Sequence, residues 1–280
     1  MRLPDLFAKP FSLQRATGMQ PLNDRQNEIL SIARTTGRVG VEELAERFNV
    51  TPQTIRRDLN ELCDRNILTR THGGAMVSSS VENISYEARR LIAAEQKQAI
   101  GAAAAALIAD HSSLFINIGT TTEEVARRLT LHKDLLVITN NINVALALYP
   151  YPAIRVVIVG GPVRSSDGAV VGSAAVDLIR QFKVDSAIIG ASAIDEDGSL
   201  LDFDPLEVNV SRAIIENARR VILVCDQMKI GRAAPVRIGH MAQIHTFVTD
   251  CLTSERLRAA CGAHGVAVIE TQPGAQRLPQ

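Results

Sequence analysis

Thr51-Pro52-Gln53-Thr54-Ile55-Arg56-Arg57-Asp58-Leu59-Asn60-Glu61-Leu62 reads as a capped amphipathic helix with two separable faces. Thr51 is a good N-cap, because its hydroxyl accepts a backbone N–H that has no partner inside the helix. Pro52 follows at the first helical position, where a missing N–H costs nothing and φ is already set. Ile55, Leu59 and Leu62 recur at i, i+4 and i+7 and make one apolar stripe. Gln53, Arg56, Arg57 and Asn60 fall on the opposite side. Arg pairs bidentately with guanine, and Asn or Gln with adenine, so this polar face suits a DNA major groove. A solvated surface helix would show the same pattern, so the neighbouring residues decide between the two.

Upstream, a helix is expected from Asp24 to Thr35, with Ile29, Leu30 and Ala33 inward and Gly37 ending it. A short second helix is expected from Val41 to Phe48, facing inward through Leu44, Ala45 and Phe48. Ala45 is small enough for two helices to cross closely, and Asn49-Val50 supplies the tight turn before Thr51. Downstream, Ile67-Leu68-Thr69-Arg70 and Ala75-Met76-Val77 are β-prone pieces flanking Gly73-Gly74, which predicts a hairpin wing. Arg70 and His72 sit where a wing touches phosphate or the minor groove. The DNA-contact candidates are therefore Thr51, Gln53, Thr54, Arg56, Arg57, Asn60, Arg70 and His72. From Asp24 to Arg90 there are ten basic and ten acidic residues, so affinity must depend on where the arginines point.

Glu42-Glu43-Leu44-Ala45, Val50 through Leu62, and His72-Gly73-Gly74-Ala75 together resemble the winged helix-turn-helix of the DeoR family of bacterial transcriptional regulators. One departure is Gly40, where that family usually has Ser or Thr capping the second helix; Gly is tolerated there. The resemblance implies operator DNA as a partner and a homo-oligomer, dimer or tetramer, whose symmetry matches that of the operator.

Composition sets the outer bounds. The chain has 280 residues, 46% of them hydrophobic and 21% charged, which fits globular domains. Thirty basic residues balance thirty acidic ones, so there is no gross basic signature for non-specific nucleic-acid binding. Cys63, Cys225, Cys251 and Cys261 form no CxxC pair, which argues against a metal site and fits reduced thiols in the cytoplasm. No apolar run approaches the roughly 20 residues of a membrane span. The expected organisation is a flexible tail over 1–22, with Met19 as an alternative start. A winged helix-turn-helix spans 23–77, a linker 78–96 beginning at Ser78-Ser79-Ser80, and a ligand-binding domain 97–280. Ser85 to Asp110 reads as mostly helical, a packed relay or a plain connector.

From Ser113 the pattern becomes strand–helix alternation. Apolar strands are expected at 113–118, 135–138, 154–159, 186–189, 220–224, 245–248 and 266–269. Helices are expected between them at 122–129, 142–148, 173–182, 207–218 and 254–261. Continuous apolar strands alternating with helices predict an α/β fold with a parallel sheet covered on both faces. Ligands of such sheets bind beyond the C-terminal strand ends. There, Gly119-Thr120-Thr121-Thr122 follows a strand and opens a helix, where free N–H groups and hydroxyls suit a phosphate. An ordinary N-capped turn uses the same residues. Asn140-Asn141, Gly160-Gly161 and Gly190-Ala191-Ser192 occupy parallel positions. Lys229 can balance phosphate charge or be a solvated lysine, and Arg164 can reach a phosphate or close a lid. Asp202, Asp204 and Glu207 can accept from polyol hydroxyls, or Glu207 merely favours a helix N-terminus. Asp195-Glu196-Asp197-Gly198 reads as an exposed turn.

The resemblance to the DeoR family continues to about residue 250, through Phe115–Thr121, Thr139–Ala145, Ile194–Asp204 and Ser211–Arg219. It implies an effector domain with the fold of phosphosugar isomerases that binds a phosphorylated sugar or polyol, with glycerol 3-phosphate favoured. It also implies effector contacts at Gly119, Thr120, Thr121, Asn140, Gly160, Gly161, Asp204, Glu207 and Lys229; the residue reading adds Thr122 and Asn141. The expected function is a repressor of carbon-metabolism genes, released from its operator by that metabolite. It needs no cofactor or metal and has no catalytic residues. Two alternatives remain at this level. A phosphosugar isomerase-like enzyme fused to a DNA-binding domain is disfavoured because no motif fixes an acid–base pair. A nucleotide-binding regulator is disfavoured because Gly119-Thr-Thr-Thr lacks the Walker lysine and the GxGxxG spacing.

Overall fold

The computed structural model describes residues 22–36, 38–65, 67–71, 73–76 and 85–272. The expected tail, apart from Leu22, and the Ser78-Ser79-Ser80 stretch lie outside the described residues.

The N-terminal part runs α1 (Asp24–Thr36), β1 (Arg38–Gly40), α2 (Val41–Phe48), α3 (Pro52–Asp64), β2 (Thr69–Thr71) and β3 (Gly74–Met76). Asn49 takes the left-handed conformation, φ 50°, ψ 49°, and its N–H closes the end of α2 onto the carbonyls of Ala45 and Glu46. Asn tolerates that region because its short polar side chain hydrogen-bonds locally. Ile29, Leu30 and Ala33 of α1 share one apolar cluster with Leu44 and Ala45 of α2 and Ile55, Leu59 and Leu62 of α3. Burying these three stripes against one another is the main force holding the short helices in place.

The wing has a third strand that sequence reading missed. β3 lies between β2 and β1 and pairs antiparallel with both. Arg38-Val39-Gly40 is too short to show a period of two, and it runs straight into α2. Gly74 sits opposite Gly40 in this ladder. A Cβ on Gly74 would lie 1.9 Å from the Val39 carbonyl oxygen, so only glycine fits.

The helical stretch expected over 85–110 is two helices, α4 (Tyr86–Leu91) and α5 (Ala94–Ala105). Between them Ala93 adopts φ 51°, a left-handed position that breaks the helix. Ala88, Ile92 and Ala93 are buried in the same cluster as the helix-turn-helix core. The Ala93 N–H donates to Asn27 Oδ1 of α1 at 3.3 Å. Lys97 of α5 is buried, and its ammonium donates to the carbonyls of Arg89 and Ile92. A cation at the carbonyl end of a helix is favourable and satisfies acceptors that have no helical donor. α4 is thus fixed to the DNA-binding part on one side and to α5 on the other.

The remainder runs β4 (Ser113–Ile116), α6 (Thr120–Arg128), β5 (Leu135–Thr139), α7 (Ile142–Leu148), β6 (Ile154–Ile158), α8 (Ser173–Ile179), β7 (Val184–Ile189), β8 (Ala193–Ile194), β9 (Ser199–Asp202), α9 (Pro205–Glu216), β10 (Ala218–Val224), β11 (Val236–His240), β12 (Thr246–Thr249), α10 (Glu255–Ala263) and β13 (Ala267–Glu270). The seven expected strands form one sheet in the order β13-β12-β10-β7-β4-β5-β6. Every pairing in it is parallel. Alternation along β4 shows why its strands read as continuous apolar runs. Leu114 and Ile116 join the core under α5, α6 and α7, while Phe115 joins the core under α8, α9 and α10. Both faces are buried, so no polar face is left to mark the period.

A small antiparallel sheet, β11-β9-β8, was not expected. The Asp195–Gly198 turn joins β8 to β9, with the Gly198 N–H donating to the Asp195 carbonyl at 3.0 Å. The chain leaves β4 towards β5 and β6 and later returns to the other side at β7, so the topological switch falls between β4 and β7. In open parallel sheets a crevice forms at that point.

Candidate functional site

The polar face of α3 is arranged as expected. The Thr51 hydroxyl accepts the Thr54 N–H at 3.3 Å and lies 3.0 Å from the Thr54 hydroxyl. Gln53, Arg56, Arg57 and Asn60 are exposed, and Thr54 is half-buried. With Asn23 and Arg25 they line one shallow concavity. Asp58 would break an otherwise apolar stripe, but Arg25 Nε donates to it at 2.6 Å. This hydrogen bond to Asp58 holds the Arg25 guanidinium above its ordinary pKa. Gln26, also buried, donates to Glu61 at 2.8 Å. These two contacts fix the rotation of α3 against α1 and so aim its arginines outward. Arg56 pairs with Glu42 of α2 at 3.2 Å, both side chains exposed, while Arg57 has no ion pair among the described residues. Arg70 is exposed on β2, 3.7 Å from Asp64. His72 lies outside the described residues.

The second site lies at the switch point. Gly119 follows β4 with φ 147°, and α6 begins at Thr120. Only glycine adopts that angle without strain, so the loop can turn sharply and present its backbone. Thr122 is buried, and its hydroxyl donates to the carbonyls of Asn117 and Gly119 at 2.7 and 2.8 Å. Gly119, Thr120, Thr121 and Thr122 form one wall of a cleft. Gly190, Ala191 and Ser192 after β7, and Val224 and Cys225 at the end of β10, form a second. Asp202, Glu207 and Lys229 complete the cleft, together with Arg89 from α4. Burial pushes the Cys225 thiol up to about 12, which keeps it a neutral apolar wall. Helix N–H groups, hydroxyls and two cations facing acidic hydroxyl-acceptors suit a small phosphate ester with a polyol body.

Of the expected effector residues, Gly119, Thr120, Thr121, Thr122, Glu207 and Lys229 are thus brought together. Asn140, Asn141, Gly160, Gly161 and Asp204 stand apart from this lining. Asn140 and Asn141 are fully buried. Asn140 Nδ2 donates to the Val170 carbonyl at 3.3 Å, and Asn141 caps α7 by accepting the Asn143 N–H at 2.8 Å. Gly160 and Gly161 lie exposed beyond β6. Asp204 caps α9, accepting the Leu206 N–H at 2.9 Å.

Arg164 organises the acidic side of the cleft. It donates to Asp167 at 2.9 and 2.8 Å, to Asp204 at 2.5 Å and to Glu207 at 2.6 Å. Burial works against the Arg164 charge, but Asp167 and Glu207 raise its pKa above the ordinary value. Asp167 is held below the usual carboxylate range: its burial is outweighed by the hydrogen bonds and charge of Arg164 and the charge of Arg89. Glu207 goes the other way, pushed up to about 7 by burial and by Asp202 despite Arg164. Arg164 therefore acts here as the centre of a carboxylate cluster rather than as part of the lining.

Arg89 is a cleft residue that sequence reading missed. No local signal marks it, since it lies in the expected linker and enters the cleft only because α4 packs there. Tyr86, one turn earlier, was missed for the same reason. Its hydroxyl lies 2.8 and 3.0 Å from the two carboxylate oxygens of buried Glu123, on α6.

Comparison with known proteins places both sites in context. Residues 25–81 match the family model of the DeoR-like helix-turn-helix domain, and residues 92–251 that of the DeoR C terminal sensor domain. The glycerol-3-phosphate regulon repressor of Escherichia coli (strain K12) is 46% identical over 226 residues, 81% of this chain and 90% of that protein. The HTH-type transcriptional repressor CsqR of the same organism is 37% identical over 264 residues, covering 94% of this chain and all of that one. Among solved structures, a D-ribose-5-phosphate isomerase in complex with phospho-erythronic acid is similar over 49% of this chain and 54% of its own. Its TM-score is 0.38 and its identity 17%.

Proposed function

The chain belongs to the DeoR family of transcriptional regulators, and on that premise we propose that it is a repressor whose operator affinity is lowered by a phosphorylated polyol, with glycerol 3-phosphate the favoured effector. α3 would enter the major groove with Gln53, Arg56, Arg57 and Asn60 at base edges, and Arg70 of the wing would meet the backbone. Symmetric operators are bound by symmetric proteins, so the proposed active species is a homo-oligomer in the cytoplasm. The effector would sit in the cleft, its phosphate on the Gly119–Thr122 turn beside Lys229 and its hydroxyls toward Asp202 and Glu207.

The single observation that supports this reading most is the meeting of the Gly119–Thr122 helix start with Lys229 at the switch point between β4 and β7. We read the chain as a regulator rather than a catalyst, because its relatives bear the names of repressors and the matched C-terminal family is one of sensors. The test is an operator-binding titration with a panel of phosphorylated polyols and sugars. Glycerol 3-phosphate should weaken operator binding, and by linkage operator DNA should weaken effector binding by the same factor. An operator affinity unmoved by every phosphate ester in the panel would remove the sensor half of the proposal.

A further inference from the structure

Arg89 belongs to α4, outside the strand–helix alternation that builds the cleft, yet it lines the cleft with Gly119–Thr122 and Lys229. Its Nη2 donates to Asp167 at 3.2 Å. Its Nε is buried and makes no hydrogen bond among the described residues. A buried donor of that kind costs stability in the state that leaves it unpaired, so a ligand that pairs it gains that much. Asp167, by contrast, does not depend on Arg89, because Arg164 donates to both of its oxygens. If Arg89 turned away, no carboxylate would be left buried without a cation.

The neighbours of Arg89 give such a movement a consequence. Ala88 is buried in the helix-turn-helix core, as are Ile92 and Ala93. The second cation of the cleft is placed in the same way: Lys229 lines it, and the adjacent Met228 packs against that same core. Each cation facing the cleft is thus one residue away from a side chain seated in the DNA-binding part.

Resting on the effector reading above, we propose that Arg89 is itself an effector-binding residue, that Asp167 occupies it in the absence of effector, and that the effector's phosphate takes Arg89 from Asp167 and thereby shifts α4. The phosphate is the better partner, because Arg164 already donates to both Asp167 oxygens and leaves Arg89 one contact, whereas a phosphate can offer two parallel acceptors and satisfy Nε. α4 is a single short helix capped by Lys97, so a displacement at Arg89 is transmitted to Ala88 and Ile92 rather than absorbed in a loop.

The experiment uses the full chain, with glycerol 3-phosphate and inorganic phosphate as probes. Calorimetry reads their binding, and fluorescence anisotropy of labelled operator reads release. Arg89→Gln should keep operator binding, weaken the binding of both probes by about tenfold or more, and fail to release operator even when saturated. Arg89→Lys keeps the charge without the fork and should fall between the two. Asp167→Asn, which removes the competing charge and preserves shape, should bind glycerol 3-phosphate more tightly than the wild type. A purely structural role for Arg89 would lower the unfolding midpoint but leave probe affinity and release unchanged, and that result overturns the inference while leaving the effector reading standing. A wild-type protein that binds neither probe overturns both.

Discussion

The Tyr86 hydroxyl lies 2.8 Å from Glu123 Oε2, joining α4 to the helix that opens on Gly119. Glu123 is buried, and its other contacts come from Asn141 at 3.2 Å, Asn143 at 3.1 Å and Arg127 at 3.5 Å. Burial, with Glu123 adding to it, raises the Tyr86 pKa well above its usual range, so the phenol stays protonated and remains the donor. Tyr86→Phe keeps the ring and removes only that donor. It should cost about 1 kcal/mol, the net worth of one hydrogen bond, because Glu123 keeps its other partners. Urea unfolding measures this; an unchanged midpoint would show that the contact does not hold α4 in solution.

Arg57 is exposed on α3 and has no ion pair among the described residues, whereas Arg56 must leave Glu42 before it can reach a base. Arg57→Ala should therefore abolish specific operator binding at physiological salt while leaving the affinity for glycerol 3-phosphate intact. Operator titration paired with calorimetry checks both halves. Loss of effector affinity in this variant would contradict the separation of the two sites.

Gly74 permits β3 to lie against β1. A methyl group there meets the Val39 carbonyl oxygen at 1.9 Å, a backbone atom that cannot rotate away. Gly74→Ala should push the wing off the helix-turn-helix core, cost on the order of 2 kcal/mol, and weaken operator binding. The effector cleft lies elsewhere and should bind as before. Thermal unfolding together with both binding assays separates these effects.

Glu207 gives the protein a pH dependence of definite sign. Its folded pKa of about 7, against 4.5 for an ordinary glutamate, means that the folded state holds a proton which the unfolded chain releases. The stability this contributes is complete below the ordinary value and is lost as pH rises through about 7. Glu207→Gln should flatten the fall in stability between about pH 4.5 and pH 7, read as urea midpoints across that range. A slope as steep in the variant as in the wild type would place the titrating group elsewhere.

Much of this molecule was legible without coordinates. The Thr51 cap, Pro52 and the Ile55, Leu59, Leu62 stripe specify one helix in one rotation, because capping and period are local properties. The seven parallel strands were equally visible, since strands buried on both faces must be apolar throughout. The short pieces were not. β1 and β8 have too few residues to show a period, and their pairing rests on partners far along the chain.

Gly119-Thr120-Thr121-Thr122 was recognisable as half of a ligand site because a strand, a glycine and a helix start follow one another directly in the sequence. The other half was not. Lys229 stands 107 residues beyond Thr122, and only strand order brings it alongside. Arg89 had no signal in its own surroundings, because what makes it a cleft residue is the packing of α4 on the helix-turn-helix core and its hydrogen bond to α6. Asn140, Gly160 and Asp204 are polar or small at strand ends or in loops near the cleft, as ligand residues often are, and yet Asn140 is buried, Gly160 is exposed and Asp204 caps α9. The sequence by itself determined the capped helices of the helix-turn-helix, the seven doubly buried strands and the residues these can present. Tertiary structure alone decided which of those residues face the same space, because that depends on crossing order and packing between segments that carry no local record of each other.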